Sequence, residues 1–206
     1  MKAFFPLAAF LLLISSLTQA ARVSLPNGEL TEQEQDLSVK VLGGTVSLDR
    51  TWTNGRWYFN PAWSNLKFKR NLEEEVQYVD RAGTVYERTG NEGDVYVFDD
   101  NQFIRRIVSS TGVVSWRWYN RSGATVNYDV DGLMQGYANR NGVKVSFVRG
   151  TGGRIDQVND HFGNLALKLT YTSGKITGVQ DRLSRSVTYV WTGECVFLTK
   201  PVTSSC

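Results

Sequence analysis

The chain reads as all-β: consecutive antiparallel hairpins forming a curved or spiralling sheet. Apolar and polar residues alternate with period two along most of the 206 residues, glycine-bearing turns punctuate that alternation at short intervals, and helical periodicity is lacking after Gln35. Composition points the same way, with 19 Gly, 6 Trp, 9 Tyr and 10 Phe against 4 Pro, 2 Cys and 1 His. Glycine supplies the positive-φ positions of tight turns, and aromatic side chains suit a pleated surface. At 41% hydrophobic and 21% charged the chain is too apolar for a disordered protein. Lys+Arg 23 against Asp+Glu 20 leaves +3 with the signs interspersed, which makes no case for a nucleic acid partner.

Residues 1–20 have the order of an export signal. Lys2 precedes an apolar run from Ala3 to Ile14, and small and polar residues lead to Thr18-Gln19-Ala20, where cleavage is expected. The run is shorter than the ~20 residues a spanning helix needs, so no membrane span is expected after cleavage. The chain is then secreted, periplasmic or on the cell surface. In an oxidising compartment Cys195 and Cys206 could pair, clipping the tail at 194–206.

Residues 21–41 read as a polar lead-in, with Glu29 to Leu37 the one stretch of helix-favouring composition. A pre-repeat β segment follows at 42–71. From 72 to 193 the chain is a run of hairpins. Val143-Lys144-Val145-Ser146-Phe147, Leu165-Ala166-Leu167-Lys168-Leu169 and Ser186-Val187-Thr188-Tyr189-Val190 each read as a strand with one buried face. Ala82-Gly83, Ser122-Gly123, Asn141-Gly142 and Phe162-Gly163 are among the turns between strands.

The spacing is periodic. Gly132, Gly153 and Gly174 recur at a step of 21 residues, as do Met134, Ile155 and Ile176, and Asn139, Asp160 and Asp181. Gly142 and Gly163 keep the step, with Ser184 in the third copy, and Val145, Ala166 and Val187 close the unit. Each unit holds two short strands and two turns, and such a period marks an array in which each hairpin buries its face against its neighbours.

One copy runs Asp160-His161-Phe162-Gly163-Asn164 and continues through Tyr171, Gly174, Ile176 and Val179 to Asp181; the next keeps Asp181 and Tyr189. This resembles the tyrosine–aspartate (YD) repeat of RHS proteins. Tyr128-Asp129-Val130-Asp131-Gly132-Leu133 is similar to the Y-D-x-D-G-x-L of that family, and Leu48-Asp49-Arg50-Thr51-Trp52 with Pro61-Ala62-Trp63-Ser64 resembles the region that introduces its repeats. The resemblance spans about Leu42 to Trp191 and implies a hairpin sheet that spirals into a shell, as in polymorphic toxins and cell-surface proteins. No Asp-Pro motif of the family's self-cleaving core is present. The resemblance therefore implies the N-terminal portion of such a protein, truncated, split or free-standing, whose partner is a protein or the remainder of an RHS-type assembly.

Catalytic chemistry has few residues to draw on. His161 is the single histidine and occupies a turn position that Arg140 and Arg182 fill in neighbouring copies. Metal ligands are not clustered, and no cofactor motif is present. Asp99-Asp100, Asp129 with Asp131, and Asp160 with Asp181 offer carboxylates for a hydrolase. Yet aspartate in a hairpin turn ordinarily accepts main-chain N–H groups, and periodic recurrence fits that role. No catalytic residue is assigned. The aromatic clusters Trp57 with Trp63 and Trp116, Trp118 with Tyr119 leave two readings open, a buried core or an exposed platform for a partner or a glycan. The expectation is a non-enzymatic structural module, with a carbohydrate-binding β module as the alternative.

Overall fold

A computed structural model describes residues 22–24, 29–89, 94–193 and 195–199. The export signal at 1–20 and the Cys195–Cys206 pairing lie outside the described residues and side chains. The described chain is an antiparallel meander in two sheets. The first holds β1 (Arg22–Ser24), β2 (Glu29–Val41), β3 (Gly44–Thr53) and β4 (Arg56–Phe59). A single 3-10 turn at Pro61–Trp63 leads into the second sheet. That sheet runs β5 (Leu66–Arg70), β6 (Val76–Arg81), β7 (Thr84–Arg88), β8 (Val95–Asp99), β9 (Gln102–Val108), β10 (Val114–Asn120) and β11 (Thr125–Tyr128). It continues through β12 (Met134–Ala138), β13 (Lys144–Arg149), β14 (Ile155–Asn159), β15 (Leu165–Thr172), β16 (Lys175–Asp181), β17 (Ser186–Thr192) and β18 (Cys195–Thr199). Within each sheet every strand pairs with its sequence neighbours, so both sheets are built from local hairpins.

Two boundaries differ from the sequence reading. The polar lead-in is instead the long strand β2, paired with β3 from Glu32↔Trp52 to Val41↔Gly44. A bulge between Gln35 and Leu37 breaks the alternation that would mark it as a strand. The segment at 194–206 contributes strand β18, paired with β17 from Thr192↔Cys195 to Thr188↔Thr199.

One five-residue turn recurs. At Asp160 the main-chain N–H donates to Asn164 O (2.9 Å), and Gly163 N–H donates back to Asp160 O (3.0 Å). The Asp160 Oδ1 accepts the N–H groups of Phe162 and Asn164, each at 2.9 Å. Asn71, Asp129, Asn139 and Asp181 make the same set of bonds. The fourth residue must be left-handed: Gly163 has φ 84°. Gly132, Gly142 and Gly153 hold the same position. Gly174 does not. It sits in the two-residue turn Ser173-Gly174, with φ 50° and 79°. There the period survives because β15 and β16 are longer, exchanging loop residues for strand residues.

The second sheet coils on itself. Its first strand returns to the turn between β11 and β12, where Leu66 N–H donates to Gly132 O at 2.8 Å. Asn65 Oδ1 accepts from Met134 N–H (3.0 Å), and Arg81 Nε donates to the Tyr128 hydroxyl (2.8 Å) across the coil. A Cβ on Gly132 would lie 2.9 Å from Phe68 Cε2 and 3.0 Å from Leu66 O, so this glycine also permits the close approach. Val79, Tyr86, Tyr96, Ile104, Trp116, Trp118, Val126 and Tyr128 fill the turn of the coil. The later strands β15–β17 meet the first sheet, where Leu37, Val39, Val46 and Leu48 join a continuous core with Leu167, Leu169, Val179 and Val187. Phe59 packs edge-on against Tyr189 there, with ring centroids 5.0 Å apart.

Candidate functional site

The aromatic residues singled out in the sequence separate into three environments. Trp116 and Trp118 share one face of β10, as alternation requires, but that face is the inside of the coil: they are 3% and 9% exposed. Trp116 lies 4.7 Å from Phe68 and 5.5 Å from Tyr96 by ring centroid, and Trp118 Nε1 donates to the Tyr86 hydroxyl at 2.9 Å. These two rings belong to the core and form no exposed platform. Tyr119 points the other way and stacks nearly flat on Phe103, at 4.7 Å and 14°. Trp57 is half-buried, edge-on to Trp52, with the Arg50 guanidinium 4.5 Å above its ring.

Trp63, half-buried like Trp57 and Tyr119, is the one that lines a described groove. It packs on Phe147 (4.9 Å) and lines a groove of about 400 Å3 over the outward face of β3. Gln33 of β2, Ser47, Asp49 and Thr51 of β3, Asn60 and Tyr137 also line it. The volume falls inside the range of about 300–1,000 Å3 usual for small-molecule sites.

The local chain explains how Trp63 is held. Asn60, buried and left-handed at φ 39°, accepts from Asp49 N–H through Oδ1 (2.5 Å) and donates to Ser47 O through Nδ2 (2.9 Å). Its own N–H donates to Asp49 O at 2.9 Å. Asn60 thus extends the β3 ladder with its side chain, and Trp63 N–H closes the turn onto Asn60 O at 2.8 Å. Pro61 at the first helical position pre-sets the backbone for that turn.

Asp49 is the charged group of the groove. Its Oδ2 accepts from Ser47 Oγ at 3.0 Å, while Oδ1 is buried with no hydrogen-bond partner among the described residues. Tyr137 approaches from β12, 88 residues along the chain, and burial raises its phenol above the usual value. No protein-family model matches the chain. No curated protein matches it either.

The other candidates have structural partners. His161 Nδ1 accepts from Lys144 N–H at 3.3 Å at the edge of its turn. Asp129, Asp160 and Asp181 spend Oδ1 on their own turns, and their Oδ2 atoms accept from Gln135, Asn164 and Arg185. Among the described residues no group of three or more His, Cys, Asp or Glu is placed to hold a metal. No helix among them is long and apolar enough to cross a membrane.

Tyr137, Asp49, Asn60 and Gln33 were not legible as site residues. They converge from β12, β3, the turn after β4 and β2, and no local motif links them.

Proposed function

We propose that this is a secreted, non-enzymatic structural module of RHS/YD-repeat type, serving a surface-associated or toxin-type assembly. The observation that supports it is the seam at Leu66 and Gly132: the sheet completes one coil there and continues outward through β12 to β18 instead of closing. A sheet that spirals past its own start has an interior that stacked hairpins extend, and a last strand able to receive another. Among the described residues no strand hydrogen-bonds the outer side of β18. Strand addition at such an edge gives affinity through main-chain bonds.

Adjacent residues of an antiparallel strand turn their N–H groups alternately to the two sides. Of Phe197 and Leu198, one therefore faces β17 and the other faces outward. Proline at the inward position breaks the ladder and lowers the melting temperature, whereas proline at the outward position leaves folding intact. In the producing cell, the tagged wild-type chain should be exported and should cross-link into an assembly larger than a monomer. The outward proline variant should fold, export and remain monomeric. A cytoplasmic wild-type chain, or an outward variant that assembles like wild type, overturns the reading.

A further inference from the structure

We propose that the groove over the outward face of β3 binds a neutral glycan, stacking a sugar ring on Trp63 and Tyr137 and hydrogen-bonding its hydroxyls to Asp49, Gln33 and Thr51. The site is independent of the scaffold reading above and uses none of the edge-strand residues.

Charge narrows the ligand first. No lysine or arginine lines the groove, and its charged group is the Asp49 carboxylate. Phosphorylated or acidic ligands would meet an uncompensated like charge, which disfavours them. Geometry narrows it further. Ser47, Asp49 and Thr51 are alternate residues of one strand and therefore project from the same face about 7 Å apart, a ladder of polar groups rather than a point. Gln33, opposite Thr51 in the β2–β3 register, adds an amide beside it. A ligand carrying several hydroxyls can use such a row, whereas a single ammonium can use only the carboxylate.

The aromatic wall supplies the second half of the argument. Trp63 and Tyr137 are half-buried and packed against the core, so their planes are fixed before any ligand arrives. A rigid ring costs little ordering entropy on binding, and the C–H face of a pyranose is the apolar surface that an aromatic face covers. Asp49 then has acceptor capacity to spare. A carboxylate accommodates about four hydrogen bonds. Here one comes from Ser47 Oγ, and Oδ1 has none among the described residues. Oδ1 is closed off from the groove, so hydroxyl donors arriving there would use the remaining capacity of Oδ2.

The test uses the exported full-length chain and a panel of soluble oligosaccharides. Maltotetraose, cellotetraose, xylotetraose and chitotetraose are the neutral probes; polygalacturonate and oligolysine are the charged controls. Titration followed by tryptophan fluorescence and calorimetry should show at least one neutral probe binding at about millimolar Kd or tighter. Asp49→Asn and Gln33→Ala, which leave the core untouched, should each weaken that binding about three- to tenfold. Trp63→Ala should abolish it. Because Trp63 also packs on Phe147, Trp63→Phe provides the folded comparison, with partial retention expected. Tyr119→Ala, on the far face of β10, should leave binding unchanged. Absence of binding to every neutral probe, binding confined to a charged control, or binding indifferent to Asp49→Asn and Gln33→Ala overturns the proposal.

Discussion

The hydroxyl of Tyr171 donates a 2.7 Å hydrogen bond to the main-chain carbonyl of Ile155 on the preceding strand. The same bond recurs with other donors: Arg149 Nε to Met134 O at 2.9 Å and Trp191 Nε1 to Ile176 O at 2.7 Å. The acceptors Met134, Ile155 and Ile176 form one of the 21-residue columns of the sequence. The column is apolar in its side chains, but what it also repeats is a carbonyl at the start of a strand that a long side chain on the next strand, one turn later, must satisfy. Three chemically different donors meet that need, so the donor position carries no sequence signature.

Removing the Tyr171 hydroxyl should therefore destabilise the fold without disturbing its packing. Tyr171→Phe keeps the ring and the Arg154 guanidinium over it at 4.9 Å, and loses the bond to Ile155. Denaturant unfolding should show a loss of about 1 kcal/mol with an unchanged denaturant slope. An unchanged midpoint would mean that water serves Ile155 equally well.

The recurrent turn predicts two stabilising substitutions. Ser184 and Glu74 occupy the fourth turn position with φ 63° and 61°, where the other copies have glycine. A side chain there costs roughly 1–2 kcal/mol of backbone strain, partly offset by the greater freedom of glycine in the unfolded chain. Ser184→Gly and Glu74→Gly should each raise stability by about 0.5–1 kcal/mol in thermal or denaturant melts. Gly163→Ala should do the opposite by a similar amount, because nothing lies within 4 Å of its Cβ position and strain is the whole effect.

Acid should loosen the same turns. Burial by itself raises the Asp160 and Asp181 carboxyls, but hydrogen bonds outweigh it. The N–H groups of Asn164 and Phe162 hold Asp160 below the usual carboxylate range, and the Arg185 guanidinium and main chain do so for Asp181. A carboxyl depressed in the folded state adds stability that is complete above its unfolded value of about 3.9 and disappears as pH falls through the folded value. Melting temperature should fall steeply below about pH 4. Asp181→Asn keeps the turn acceptor, as Asn139 does naturally, yet cannot titrate. It should lower stability at neutral pH and flatten the acid limb. An acid limb parallel to wild type would remove Asp181 from this role.

The hairpin array was legible because each strand alternates and each turn announces itself within a few residues. Where the legible signal failed, a bulge or long-range packing intervened. In β2 the extra residue at the bulge places Asp36 out of phase, its side chain 1% exposed, and a run rich in Glu and Gln hid a strand. Alternation put Trp116 and Trp118 on one face but could not say that the coil would close over it. Of the groove, Trp63 was visible as an aromatic near a turn. Asp49 and Tyr137 look like any strand residues until β3 and β12 are brought together.

Asp36 is also where a buried ion pair of the first sheet meets the second sheet, through the hydroxyl of Tyr189 on β17. Its Oδ2 accepts from Arg50 Nε at 2.6 Å and from the Tyr189 hydroxyl at 2.8 Å, while Arg50 Nη2 reaches Glu34 at 2.6 Å. Arg50 is 3% exposed, so its guanidinium is solvated by its carboxylate partners in place of water. Removing one member of a buried pair strands its partner and costs about 3–5 kcal/mol, whereas replacing both with apolar residues costs far less. Arg50→Met and Asp36→Leu should each be strongly destabilising. The double variant should be less destabilised than the sum of the two, and no worse than either alone. Tyr189→Phe, which leaves the ion pair, should cost about 1.5–3 kcal/mol, the usual range for a bond to a charged acceptor. Hydrogen exchange should place the damage at the junction of the sheets, with β2, β3 and β17 losing protection before β9 and β10. Additive single losses, or uniform loss of protection, would show that the pair does not hold the junction together.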